Sequence, residues 1–157
     1  MMNKSTAVLL IFLPVLIGTL SAADQKTAEP YRCQPTPQDE MGPFYRAGAP
    51  LRSRIGAGYL LTGTVKSASD CRPVPSPLIE FWQTGPDGRY DDAHRAAVIT
   101  GEDGAYRFET NFPGAYLTRP PHIHIRVTAA GFQTLTTQHY LKPGTKKALF
   151  DLVLIPE

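Results

Sequence analysis

The chain has 157 residues, 42 % of them hydrophobic, and its 16 Lys and Arg against 14 Asp and Glu leave a formal net charge of +2. With the basic residues scattered rather than gathered in a tract, that balance excludes nucleic acid as the partner and points to a small molecule. Thirteen Gly and 15 Pro are many for this length, yet they stay below the roughly 25–30 % that marks low-complexity disorder, so the chain carries a packed core.

Lys4, an apolar run from Ala7 to Leu20 broken by Pro14, and the small residues Ser21-Ala22-Ala23 read as a secretory signal peptide over residues 1–23. The run falls short of the roughly 20 residues that span a bilayer, which makes a membrane anchor the weaker reading. Processing leaves about 134 residues, the size of one domain, secreted or periplasmic and with no membrane attachment. Residues 24–58, rich in Pro, Gly and charge, read as an extended N-terminal arm that packs along the rest.

From Tyr59 the pattern changes. Tyr59 to Lys66, Leu78 to Gln83, Ala105 to Thr110, His122 to Ala129, Thr134 to Tyr140 and Lys147 to Ile155 are short runs rich in β-branched and aromatic residues, which predicts strands. Gly85-Pro86-Asp87-Gly88, Glu102-Asp103-Gly104, Pro113-Gly114 and Lys142-Pro143-Gly144 supply turn chemistry between them. The expected class is all-β, an antiparallel β-sandwich over 59–157 that forms one domain with the arm.

Cys33 and Cys71 are the only cysteines, and an oxidising compartment favours a bridge between them. A cysteine-ligated metal is the competing reading, weakened by the lack of a CxxC spacing and of a third cysteine.

The chemistry gathers in His122-Ile123-His124-Ile125-Arg126-Val127. Side chains alternate along a strand, so Ile123, Ile125 and Val127 belong to the core while His122, His124 and Arg126 share the other face. Two imidazoles then sit about 6–7 Å apart along the strand, near enough to converge on one metal ion. A His-x-His on a solvent-facing strand is common, and alone it leaves the metal open. Tyr90 and Tyr116, each just after a Gly-containing turn, either cap the core or join the histidines.

Several motifs then bear on family. Ile79-Glu80-Phe81-Trp82-Gln83, Gly88-Arg89-Tyr90, Gly104-Ala105-Tyr106-Arg107-Phe108, Pro113-Gly114-Ala115-Tyr116, Arg119-Pro120-Pro121-His122-Ile123-His124 and Thr137-Gln138-His139-Tyr140 resemble, in order, the signatures of intradiol ring-cleavage dioxygenases. Thr36-Pro37 and Gly42-Pro43-Phe44-Tyr45 are similar to that family's opening motif, and the resemblance runs from about Cys33 to Tyr140. It implies a prealbumin-like sandwich in which Tyr90, Tyr116, His122 and His124 bind Fe(3+), and in which Gly42, Pro43, Phe44 and Tyr45 border the substrate. It further implies that Tyr116 is displaced when a small aromatic diol binds, that Tyr90 stays, and that Arg119 and Gln138 act on the substrate. The ring is opened with O2 between its two hydroxyls to a muconate-type dicarboxylic acid. Homo-oligomerisation is left open.

Charge supports the ferric choice. A phenol with a pKa near 10 ionises at neutral pH only beside a strongly charged cation, and zinc fits two phenolates poorly. Plainer readings cover the other conspicuous residues. His94 and His139 match no ligand position and read as structural or solvent-facing, Asp91, Asp92, Glu102 and Asp103 as turn formers rather than a calcium site, and Trp82 as strand packing. Arg46, Arg52 and Arg54 are candidates for holding a ring carboxylate. A different class, the transthyretin-like or carboxypeptidase-regulatory accessory module, shares the strand and turn pattern but has no reason to keep Tyr90, Tyr116, Arg119, His122 and His124 together.

Overall fold

The computed structural model describes residues 31–157; the expected signal peptide and the start of the arm lie outside these residues. Eight strands follow: β1 (Tyr59–Ser67), β2 (Leu78–Thr84), β3 (Tyr90–Ile99), β4 (Ala105–Thr110), β5 (His122–Thr128), β6 (Leu135–Tyr140), β7 (Lys147–Leu149) and β8 (Leu152–Leu154). One sheet has the order β4-β1-β7 with β8 also on β1, and the other the order β3-β2-β5-β6. Their inner faces meet over Leu61, Val65, Ile79, Phe81, Phe108, Ile123, Ile125, Val127 and Leu152, all fully buried. Phe81 of one sheet stacks on Phe108 of the other at 4.2 Å. Each such side chain contributes about 1.5–3 kcal/mol by leaving water.

Two elements differ from the sequence expectation. β3 is absent from the predicted strands because Asp91-Asp92-Ala93-His94-Arg95, in its first half, carries no β-forming signal. It becomes a strand by pairing antiparallel with β2, with an irregularity between Trp82 and Thr84 that turns the strand end. Asp91 and Asp92 therefore sit in a strand and not in a turn. The run from Lys147 to Ile155 breaks in two at Phe150-Asp151, and both pieces lie parallel to β1. Phe150 N donates to Thr62 O (2.8 Å), and a Cβ at Gly63 would stand 2.1 Å from Phe150 O, so only glycine admits the crossing. At the break the Asp151 carboxylate accepts from Thr64 N (2.9 Å) and Lys66 Nζ (2.5 Å), replacing the missing ladder bonds.

Residues 31–58 form no regular strand. They strap both sheets through isolated bonds: Cys33 N to Ala68 O, Thr36 N to Val153 O, Asp39 N to Thr136 O, Ala97 N to Pro50 O and Ile55 N to Glu109 O. The strap covers the outer face of the β3-β2-β5-β6 sheet, and both faces of β5 are consequently buried.

Cys33 and Cys71 are bonded, with Cα atoms 5.4 Å apart and a sequence separation of 38. Opening a loop of this length costs up to about 4 kcal/mol in the chain-entropy model. Urea unfolding with and without dithiothreitol should therefore show a lower midpoint for the reduced chain, and thiol titration of the oxidised chain should find no free sulfhydryl.

Candidate metal centre

Two loops set the site before any side chain does. After β2, the turn at Gly85-Pro86-Asp87-Gly88 is closed by Gly88 N to Gly85 O (3.0 Å) and Gly85 N to Arg89 O (2.8 Å), and it returns the chain with Tyr90 at the head of β3. The loop after β4 docks onto that turn: Gly114 N donates to Gly85 O (3.0 Å) and Thr84 Oγ1 donates to Gly114 O (2.8 Å). A Cβ on Gly114 would lie 2.6 Å from both Gly85 O and Gly88 N, so this backbone-on-backbone contact requires glycine. Tyr116 follows directly, its ring edge-on to Tyr90 with centroids 5.4 Å apart.

The remaining pieces come from β5. His122 and His124 are buried to 4 % and 2 % exposure, on a face that is neither core nor solvent. Tyr90 Oη, His122 Nε2 and His124 Nε2 stand at the corners of a triangle whose three edges are each 3.1 Å. His122 Nδ1 donates to Pro120 O (2.8 Å), which leaves its Nε2 lone pair aimed inward. Trp82 packs flat on the His124 ring, 4.9 Å away and 5° from parallel. Burial pushes the Tyr90 phenol up to about 12, opposed by the Arg119 charge. Burial, reinforced by His122 and Arg119, holds His124 down at about 4, and burial lowers His122 as well.

The triangle fits a cation better than it fits protons. With His122 Nε2 bare, one phenol proton cannot serve both imidazoles. With both Nε2 lone pairs turned inward, one of them stays unsatisfied, a costly arrangement unless a Lewis acid takes them. Among the described residues no three His, Cys, Asp or Glu converge; the donor set here mixes imidazole with phenol. Tyr116 lies beside the triangle and outside it, half-buried, and its hydroxyl makes no hydrogen bond among the described residues.

The strap roofs these residues. Gly42, at φ 70°, brings its backbone so close to His124 that a Cβ would lie 3.1 Å from Cε1. Phe44 stacks on Tyr90 at 4.3 Å and meets Tyr116 edge-on at 5.5 Å. An open cavity of ≈ 190 Å³ lies against Tyr90, lined by Pro43, Phe44, Arg46 and Trp82 among others. Tyr45 points elsewhere, donating to Glu80 Oε2 (3.0 Å) beneath the Arg126 guanidinium.

On the far side of the triangle, Arg119 Nη2 donates to Gln138 Oε1 (2.9 Å) and Tyr140 Oη (3.3 Å). Of the other candidates, Arg46 pairs with Asp92 (2.7 Å) at the cavity rim. Arg52 is committed to the carbonyls of Asp92, Ala93 and Arg95, and Arg54 lies by Glu109. His94 bonds Asp91 (2.7 Å) and His139 bonds Tyr59 (2.8 Å), both away from the triangle. Asp39 and Tyr140 are site neighbours that sequence reasoning gives no role; Tyr140 lies inside a quoted motif, and Asp39 looks like one more charge in a polar arm.

A family model described as Dioxygenase matches residues 41–153. Chlorocatechol 1,2-dioxygenase of Cupriavidus pinatubonensis is 34 % identical over 137 residues, 66 % of this chain and 53 % of the relative. That of Pseudomonas putida is 27 % identical over 177 residues, 90 % of this chain and 65 % of the relative. The chain thus spans little more than half the length of the first of these. The dioxygenase domain of a dioxygenase carbohydrate-binding protein fusion from Streptomyces sp. SirexAA-E superposes with a TM-score of 0.71 at 28 % identity, covering 79 % of this chain and all of that domain.

The histidine shifts make the metal-free protein acid-sensitive. A group held below its unfolded pKa of about 6.5 contributes stability that is present above that value and lost as pH falls toward the folded pKa, which for His124 is about 4. Thermal unfolding of metal-free protein should show a midpoint that declines between pH 6.5 and 4, and His124→Gln should flatten that slope.

Proposed function

This chain belongs to the intradiol ring-cleavage dioxygenase family, and from that premise we propose that, loaded with iron(III), it opens catechol-type diols between their hydroxyls with O2 to give muconate-type dicarboxylic acids. The observation that carries the reading is the 3.1 Å triangle of Tyr90 Oη, His122 Nε2 and His124 Nε2 with a second phenol, Tyr116, beside it. Those residues would hold the metal. When bound, iron(III) supplies the positive charge that ionises the phenols and draws electron density from the diol ring, making its carbons reactive toward O2.

The chain's own residues divide the remaining work. Tyr90 is clamped between Phe44 and the imidazoles and keeps its place. Tyr116, which as a metal-held phenolate would have no other hydrogen-bond commitment, would take a proton from the incoming diol and move aside as the neutral phenol. Arg119 offers a fixed positive charge where negative charge develops on the ring, the kind of preorganised electrostatics that contributes most to catalysis. Gln138 holds Arg119 in place. Phe44, Pro43 and Trp82 line the open cavity against Tyr90. The relatives' names bring the catechol class to this chain; the pairing of Arg46 with Asp92 at the rim leaves a ring carboxylate without a free guanidinium there. Export belongs to the same proposal, supported by the Cys33–Cys71 bridge, a bond that persists in oxidising compartments.

Iron-loaded protein should be red to burgundy from tyrosinate-to-iron(III) charge transfer, and anaerobic catechol should shift the band. Colourless protein that has taken up iron would sink the assignment. Tyr90→Phe should bleach most of the colour and weaken iron retention, whereas Tyr116→Phe should keep iron and slow substrate binding. Arg119→Leu should leave colour and iron content intact while turnover drops by about 10²- to 10³-fold, mainly in kcat. Lysine should restore only part, because an ammonium lacks the planar fork.

A further inference from the structure

Arg119 is held by two neutral oxygens, and both are themselves fixed by the strap. The Tyr140 hydroxyl has one proton and donates it to Asp39 Oδ2 (2.9 Å), so its lone pair is what faces Arg119 Nη2 at 3.3 Å. Gln138 Nε2 donates to the Glu40 carbonyl (2.6 Å) and lies 3.5 Å from Asp39 Oδ1. With its amide nitrogen so engaged, Gln138 can present only Oε1 to the guanidinium; the flipped amide would set donor against donor. Asp39 is anchored in turn by its own N–H on Thr136 O (2.8 Å). Its neighbour Gln38 is bonded in both directions to β6, through Thr134 O (3.0 Å) and Thr136 N (2.8 Å). The result is a closed ring, Asp39–Tyr140–Arg119–Gln138, that joins the strap to β6 and to the residue three before His122.

What the ring prevents is as informative as what it holds. The Glu40 carboxylate is 80 % exposed, and its Oε2 stands 4.0 Å from Arg119 Nη1. Released from Gln138 and Tyr140, the guanidinium would close on that carboxylate, turn toward water and have its charge compensated by a full negative charge. Held as it is, Arg119 donates hydrogen bonds only to uncharged acceptors, with the Glu40 carboxylate at 4.0 Å and the Asp39 carboxylate one hydrogen bond away. We propose that Asp39 and Tyr140 are positioning residues: they orient the lone pairs that hold Arg119 beside the metal centre and keep it from closing further onto Glu40. The inference rests on the ring-cleavage reading, in which Arg119 acts on the substrate.

The test is a double-mutant cycle on the full iron-loaded chain with catechol, combined with side-chain NMR of Arg119 in the same proteins loaded with diamagnetic gallium(III) in place of iron(III). Asp39→Ala and Tyr140→Phe should each lower kcat about tenfold with KM changed by less than about threefold, and neither should lower kcat further when added to Arg119→Leu. Asp39→Asn, which still accepts from Tyr140, should recover most of the loss. The Arg119 Nη resonances should be separately resolved in the wild-type chain and exchange-averaged in Asp39→Ala and Tyr140→Phe. If Asp39→Ala does not fold, Tyr140→Phe carries the same comparison at the other corner of the ring. Full additivity with Arg119→Leu, or unaltered Arg119 resonances, would overturn the proposal. Wild-type protein that binds iron but turns over no catechol would instead defeat the ring-cleavage reading, and the resonances alone would then decide whether the ring positions Arg119.

Discussion

A pair of imidazoles can sit in the middle of a sheet with inward lone pairs only if the face that bears them is covered, and the structure depends on that cover. β5 has the sandwich core under Ile123 and Ile125, and the strap over His122 and His124. Left open, the same face would give two solvated histidines, free to protonate and turn apart. Covered, the two rings lose water and are held as neutral donors. Gly42 and Phe44 make that cover from an irregular segment, because glycine lets the backbone lie against His124 while one phenyl ring spans both tyrosines.

Much of this was legible before any coordinates. β1, β2, β4, β5 and β6 follow directly from alternation and β-branched content, and the bridge from two cysteines with nowhere else to go. Tyr90, His122 and His124 come from the motifs in which they lie, and the coordinates bring them to a single point; Tyr116 they place alongside. β3 was illegible for a physical reason: an edge strand with one partner tolerates Asp91, Asp92, His94 and Arg95, so its sequence looks like a loop. The break at Phe150-Asp151 was hidden because the sequence on either side is uniformly strand-like, and the interruption depends on Gly63 some ninety residues earlier. Asp39 was hidden in the opposite way. In a charged arm a carboxylate carries no signal, and its role exists only because the strap crosses β6.

The two loops that present the tyrosines show how little sequence a site needs when backbones interlock. Gly114 and Gly85 fix the distance between Tyr90 and Tyr116 by contact of main-chain atoms, leaving both phenol tips free of local packing duty. On the proposed reading, a phenol that stays and a phenol that leaves can therefore share one mount. The difference between them comes from what lies beyond the rings: Phe44 and two imidazoles for Tyr90, a tight turn with Leu117 at φ 53° for Tyr116.

The position of the disulfide gives the cover a particular topology. Thr36, Asp39, Gly42, Phe44 and Ile55 all lie between Cys33 and Cys71, so the roof of the site is part of a covalent hoop and not a free end. A terminal segment loosens by fraying, one hydrogen bond at a time from its tip, at almost no cost. A hoop has no tip. Its opening must lift a whole span at once against bonds at both feet, or break the sulfur link first. Whatever is cut away upstream of Cys33, the roof stays tethered, and the durability of the site is decoupled from the fate of the chain's beginning.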